Sequence, residues 1–144
     1  MGSTSDWLVW ALLSAVFAAL TSVLAKVGIQ GIDSDFATLI RTFVIVLVLG
    51  VFVLTTAKWT NPLSLPRKTL VFLVLSGLAT CASWVCYFRA LQIGEASRVA
   101  PIDKLSVVLV AIFAVIFLGE RPSVKDWFGI SLVGLGTVIL AVKR

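Results

Sequence analysis

The chain has 144 residues, 60% of them hydrophobic and 13% charged, with a mean hydropathy of +1.10 and a formal net charge of +5. A soluble domain carries about 45–50% apolar and about 25% charged residues, and a globule of this size could not cover such an apolar surplus. The composition therefore points to a bilayer and excludes a soluble enzyme, a disordered binder and a secreted disulfide scaffold. There is no His, and there are two Cys, Cys81 and Cys86. Metal sites and catalytic triads thus lose their commonest parts, and no metal and no cofactor is expected. The basic residues stand singly or in pairs, which favours anchoring at membrane faces over nucleic-acid binding.

Five stretches are long and apolar enough to span a bilayer: 7–29, 36–57, 69–93, 98–118 and 124–142. They predict an all-α membrane protein of five transmembrane helices. The residues ahead of the first stretch carry no base, and its apolar run is too long for a cleavable signal. Gly2 has no Ser or Thr at position 6, so myristoylation is unsupported. The first helix is expected to stay in the mature protein. Gly28 and Gly31 end it, and Asp33, Ser34 and Asp35 can cap the second helix. Asn61, Pro62 and Pro66 make the second loop, because proline lacks a helical donor. Gly94, Glu95 and Ser97 separate the third helix from the fourth, and the turn at 119–122 ends the fourth. Ser123 and Asp126 stand at capping-box spacing for the fifth, with Asp where Glu or Gln is usual.

Charges inside spanning segments cost about 2.5–3.5 kcal/mol at a helix centre and need a reason. Arg41 lies inside the second stretch, and Asp103 and Lys104 inside the fourth. Lys26 and Arg89 lie nearer the ends of the first and third. Lys and Arg can snorkel to headgroups, above all Lys26 and Arg89. Asp103 is too short to reach far, which predicts a basic partner or a wet cavity and makes it the candidate for proton or cation coupling. If these five share a cavity, it is electropositive and suits an anionic or zwitterionic group.

On the third helix Ser76, Thr80, Ser83 and Tyr87 fall on one face, flanked by Trp84. Two readings stay open: hydroxyls that pack helices, or a cavity lining in which Trp84 and Tyr87 stack on a ring or a cation. Pro101, close ahead of Asp103 and Lys104, frees a backbone carbonyl. Interrupted helices of this kind recur in transporter sites, whereas a plain N-terminal turn also tolerates proline. Gly129, Gly134 and Gly136, with Ser131, give the fifth helix a close-packing face, within the chain or between chains. Cys81 and Cys86 point about 140° apart on the helix and read as small packing residues.

Orientation gives a weak signal. Lys58, Arg67, Lys68, Arg121 and Lys125 fall on the N-terminal side of a five-helix arrangement. Lys26, Arg41, Arg89, Arg98, Lys104, Lys143 and Arg144 fall on the other. With the deep Arg41 and Lys104 set aside the two faces are even, so the positive-inside rule does not choose between them. Either chains insert both ways and pair antiparallel, or the insertion machinery or a partner fixes one orientation. Trp7, Trp10, Trp59 and Trp127 all fall on the N-terminal side and fit an interfacial belt. Trp84 lies inside the membrane, away from both belts.

From Ala90 onward the chain resembles a known family. The run ALQIGEASRVAPIDKL from Ala90, then FLGERPS from Phe117, then DWFGI from Asp126 and GLGTVIL from Gly134, is similar to the EamA-like domain of the drug/metabolite transporter superfamily. The resemblance is strong from Ala90 to Leu140 and weak before. It implies one EamA-like domain over residues 1–144, of the single-domain five-helix bacterial and archaeal branch. Such a domain forms one half of a ten-helix inverted-repeat architecture. It implies a homodimer, paired antiparallel, with alternating access. The small multidrug-resistance relatives use a membrane glutamate in their first helix. This chain has only Asp6 at the edge of that helix, which puts proton-coupled cation export in doubt.

The expected function is a small polytopic transporter in the inner membrane of the cell. Its substrate would lie near Lys26, Arg41, Thr80, Trp84, Tyr87, Arg89, Pro101, Asp103 and Lys104, with no enzymatic activity. Two alternatives accompany it: an assembly or anchor subunit without transport, and a lipid-phosphate carrier whose electropositive pocket opens sideways to lipid.

Overall fold

A computed structural model describes residues 6–142. The reading of Gly2, and the share of Lys143 and Arg144 in the face charges, lie outside the described residues. The chain is helical: α1 (Asp6–Gly28), α2 (Ser34–Thr55), α3 (Arg67–Ile93), α4 (Ala96–Asp103), α5 (Leu105–Phe113) and α6 (Val124–Ala141). A 3-10 turn at Pro62–Ser64 precedes α3, and a π-helical segment at Ala114–Leu118 continues α5. Among the described residues there is no strand. Five helical stretches are long and apolar enough to cross a membrane, with Ala96–Leu118 acting as one. In the absence of water the backbone must satisfy itself, and a helix does so within its own segment.

The helix ends follow local chemistry. The Asp33 carboxylate caps α2 by accepting from the Asp35 and Phe36 amides at 2.9 and 3.1 Å. Ser123 and Asp126 form a capping box on α6: the Asp126 carboxylate accepts from the Ser123 amide at 2.8 Å, and the Ser123 hydroxyl accepts from the Asp126 amide at 3.3 Å. The π segment stops at Gly119, which is left-handed at φ +68°. The second helix ends differently. The Lys58 amide donates to Val53 O and the Ala57 amide to Leu54 O, a Schellman closure with an alanine at φ +52° in the position that usually holds glycine.

The fourth span is interrupted, but not at Pro101. The helix runs through the proline and breaks at Lys104, whose amide bonds Pro101 O at 2.9 Å in a tightened turn. Pro101 is the sixth residue of α4, beyond the first turn where proline is accepted, and it lacks the amide that the helix would direct to the Ser97 carbonyl, so the plain N-terminal turn does not account for it.

The chain divides into two compact units, residues 25–93 and residues 1–24 with 94–144. In the first, α2 packs on α3. The buried side chains there are Ile29, Ser34, Ala37, Thr38, Phe88 and Leu91, all near the C-terminal end of α3. Polar bonds lock the same end. Lys26 Nζ donates to Leu91 O at 2.6 Å, and Gln92 Nε2 donates to Ile32 O at 2.9 Å. In the second unit α4 and α5 pack on α6. Ala111, Ala114 and Thr137 are buried there, and Gly134 lets α6 come close to Val108. Most other large apolar side chains are exposed, including Val16, Leu20, Leu47, Phe72 and Ile139. In lipid such a surface carries no penalty.

Candidate functional site

Within the 25–93 unit, α2 and α3 form a half-open cavity of about 380 Å³ whose α3 side is largely exposed. Its polar lining is hydroxylic: Thr38 and Thr42 from α2, Ser76 and Thr80 from α3. Gly77 adds no side chain, and Trp84 closes one side. The spacing explains the lining, because residues four apart share a helix face. Three of the hydroxyls already donate to their own helix: Thr38 to Ser34 O at 2.8 Å, Thr42 to Thr38 O at 2.8 Å and Thr80 to Ser76 O at 2.9 Å. Each oxygen therefore keeps lone pairs as acceptors.

Arg41 stands on the same part of α2 as Thr38 and Thr42. Its Cζ lies 4.2 Å from the Trp84 ring centroid and 5.3 Å from that of Phe88. The two rings are one turn apart on α3, so they form a double aromatic shelf under one guanidinium. Among the described residues no carboxylate lies within ion-pairing distance of Arg41. The guanidinium is thus held by aromatic faces, and its N–H fork is not paired to an acid.

The remaining residues named from sequence fall into three places. Arg89 pairs with Asp35 through two hydrogen bonds, from Nε at 3.0 Å and from the second guanidinium nitrogen at 2.5 Å. Together with Lys26 on Leu91 O, it belongs to the lock at the end of α3. Tyr87 lies edge-on to Phe88 at 6.4 Å between centroids, beside the Arg41 shelf. Tyr87 and Ser83 do not line the cavity. Pro101, Asp103 and Lys104 lie in the other unit, where Asp103 Oδ2 is 3.5 Å from Lys104 Nζ. Asp103 therefore has the basic partner expected of it. Gly134 is used within the chain: a Cβ there would meet Val108 Cγ2 at 3.1 Å, while Gly129 and Gly136 have nothing within 4 Å.

Sequence reasoning missed Thr38, Thr42, Leu73, Gly77 and Cys81 as lining residues. A signal was present for the first two. Thr38 and Thr42 repeat the i, i+4 hydroxyl pattern recognised on α3, and they flank Arg41. Among the described residues no group of three or more His, Cys, Asp or Glu side chains is placed to hold a metal.

The EamA-like transporter family matches residues 5–142. The chain is 56% identical over 139 residues to an uncharacterized transporter in the cobO 3'region of a Sinorhizobium species, covering 96% of this chain and 99% of that one. It is 23% identical over 133 residues to an uncharacterized protein of Methanocaldococcus jannaschii, covering 92% and 94%. It is 25% identical over 150 residues to the uncharacterized transporter YxxF of Bacillus subtilis, covering 99% of this chain but 47% of that relative. No solved structure matches the chain.

Proposed function

Because the chain belongs to the EamA-like transporter family and is a multi-pass membrane protein of the drug/metabolite type, we propose that it carries a small metabolite with an anionic or zwitterionic group across the inner membrane. The observation that supports the substrate class is Arg41, stacked on Trp84 beside a hydroxyl-lined cavity and facing no carboxylate among the described residues. A guanidinium at membrane depth without an acid partner is costly to keep, which gives it a role in recruiting a negative group. The reading takes residues 1–144 as one EamA-like domain that works as a homodimer, with antiparallel pairing and alternating access. The relation to YxxF supports the pairing, since this whole chain corresponds to about half of that relative. Asp103, paired to Lys104, is the coupling residue of this reading.

The test is twofold. A thermal-shift screen of the purified protein should find organic anions or zwitterions that raise its melting temperature, because a ligand that binds the folded state stabilises it. Uptake of the same compounds into proteoliposomes should then require Arg41. A hit list made only of lipophilic cations overturns the substrate class. Binding without uptake, under every gradient tried, overturns the transport reading in favour of an assembly subunit.

A further inference from the structure

We propose that Arg41 is the specificity-determining residue of the α2–α3 cavity: it occupies, as an internal cation, the aromatic shelf that an organic cation would otherwise take, and so reserves the cavity for organic anions. The proposal deepens the transporter reading and takes its site from there. Its first support is geometric. A Trp face is the best side-chain receptor for an organic cation, and Trp84 lines the cavity. Arg41 already covers that ring at 4.2 Å, with Phe88 beneath the same guanidinium at 5.3 Å. Phe88 is only 2% exposed, so the shelf is fixed in place.

The second support is electrostatic. Among the described residues no acid lines the cavity and Arg41 has no carboxylate partner. A second cation in the cavity would therefore meet the Arg41 charge with no carboxylate in the lining to cancel it. An anion meets the opposite situation. Arg41 is not itself a lining residue, but it follows Thr38 and precedes Thr42 on α2 and its guanidinium lies against the lining Trp84. It therefore offers a fork of donors beside the cavity, while the ligand's own N–H or O–H groups find acceptors in the oxygens of Thr38, Thr42 and Thr80. The volume, about 380 Å³, lies near the lower end for ligand pockets and suits a single-ring metabolite.

Cys81 lines the cavity and Cys86 does not; both are exposed free thiols. With Cys86→Ser as background, alkylation of Cys81 by N-ethylmaleimide reports occupancy of the cavity in the full chain held in lipid nanodiscs. The probes are two permanent ions of similar ring size, benzenesulfonate and phenyltrimethylammonium. A probe at about ten times its Kd should slow alkylation about tenfold. The expected pattern is protection by benzenesulfonate and none by phenyltrimethylammonium in the parent protein and in Arg41→Lys. In Arg41→Gln the pattern should reverse. Circular dichroism and melting of each variant separate a lost fold from a changed preference. Protection of the parent by the cation, unchanged anion protection in Arg41→Gln, or no protection by either probe overturns the proposal. The alkylation pattern is read without transport, so its success alongside absent uptake would remove the transporter reading and leave the role of Arg41 standing.

Discussion

Asp35, in the first turn of α2, accepts two hydrogen bonds from the Arg89 guanidinium near the end of α3. The pair looks like the strongest bond at that end, yet its side chains are 44% and 62% exposed. An exposed ion pair is screened and adds little. Apolar burial beside it does more: Leu91 is fully buried and Phe88 nearly so. Leu91→Ala should therefore cost about 2–5 kcal/mol. Asp35→Asn should lower the melting temperature by a smaller amount, because Lys26 on Leu91 O and Gln92 on Ile32 O still join the same segments. Thermal melts of both variants in one detergent check the ranking. A larger fall for Asp35→Asn would show that the ion pair, not the packing, holds this end.

Ala57 offers a gain of stability. It closes α2 at φ +52° with the two hydrogen bonds of a Schellman end. An L side chain in the left-handed region costs roughly 1–2 kcal/mol, and glycine avoids that cost. Ala57→Gly should raise stability by about 1 kcal/mol after the extra freedom of glycine in the unfolded chain is subtracted. A melting temperature unchanged or lowered would contradict this account of the turn.

That same alanine shows where the sequence misleads. The apolar stretch 36–57 marks the span, whereas α2 ends at Thr55, two residues earlier, because the Ala57 and Lys58 amides turn back on Leu54 O and Val53 O. Where the chain carries explicit punctuation, the reading follows it: Asp33 caps α2, Ser123 and Asp126 cap α6, and Gly119 stops the fourth span. Spans are legible because length and apolarity alone decide them. The break at Lys104 and the π segment after Phe113 are not, since both depend on how the backbone settles around Pro101 and around neighbouring helices. The site is legible in part. Periodicity on α3 picks out Ser76 and Thr80, and the cost of a buried charge picks out Arg41. That Arg41 meets Trp84 depends on the pairing of α2 with α3, which no local pattern encodes. Lys26 shows the converse: its ammonium donates to the Leu91 carbonyl at the end of α3, a partner invisible in a search for side-chain charges.

The glycines of α6 should separate by substitution. At Gly134 an added Cβ would lie 3.1 Å from Val108 Cγ2. Valine is stiff about χ1, so the contact is relieved only by moving α5 against α6. Overpacking of this kind costs about 1–3 kcal/mol, against a helix-propensity gain of about 1 kcal/mol from glycine to alanine. Gly134→Ala should lower the melting temperature, and Val108→Ala in the same chain should restore part of it. Gly129→Ala and Gly136→Ala meet nothing within 4 Å and should leave the melting temperature of the monomer unchanged or higher. Any loss of a dimer in those two variants, read by size and mass in detergent, would place them at the contact between copies.

Asp103 and Lys104 sit at the junction of α4 and α5, their charged ends 3.5 Å apart and both side chains partly exposed. Neighbours in sequence gain little stability from such a contact when both side chains are partly exposed, so removing either charge should cost the fold little. If Asp103 is the coupling residue proposed above, it must exchange a proton or a cation, and Asn can do neither while keeping nearly the same shape. Asp103→Asn should abolish gradient-driven uptake into proteoliposomes while leaving the melting temperature close to that of the parent. Lys104→Gln removes the partner charge but not the carboxylate, and should weaken uptake less. Exchange without a gradient should survive Asp103→Asn, since the proposed binding at Arg41 does not require the carboxylate. Wild-type uptake in both Asp103→Ala and Lys104→Ala would remove this pair from the mechanism.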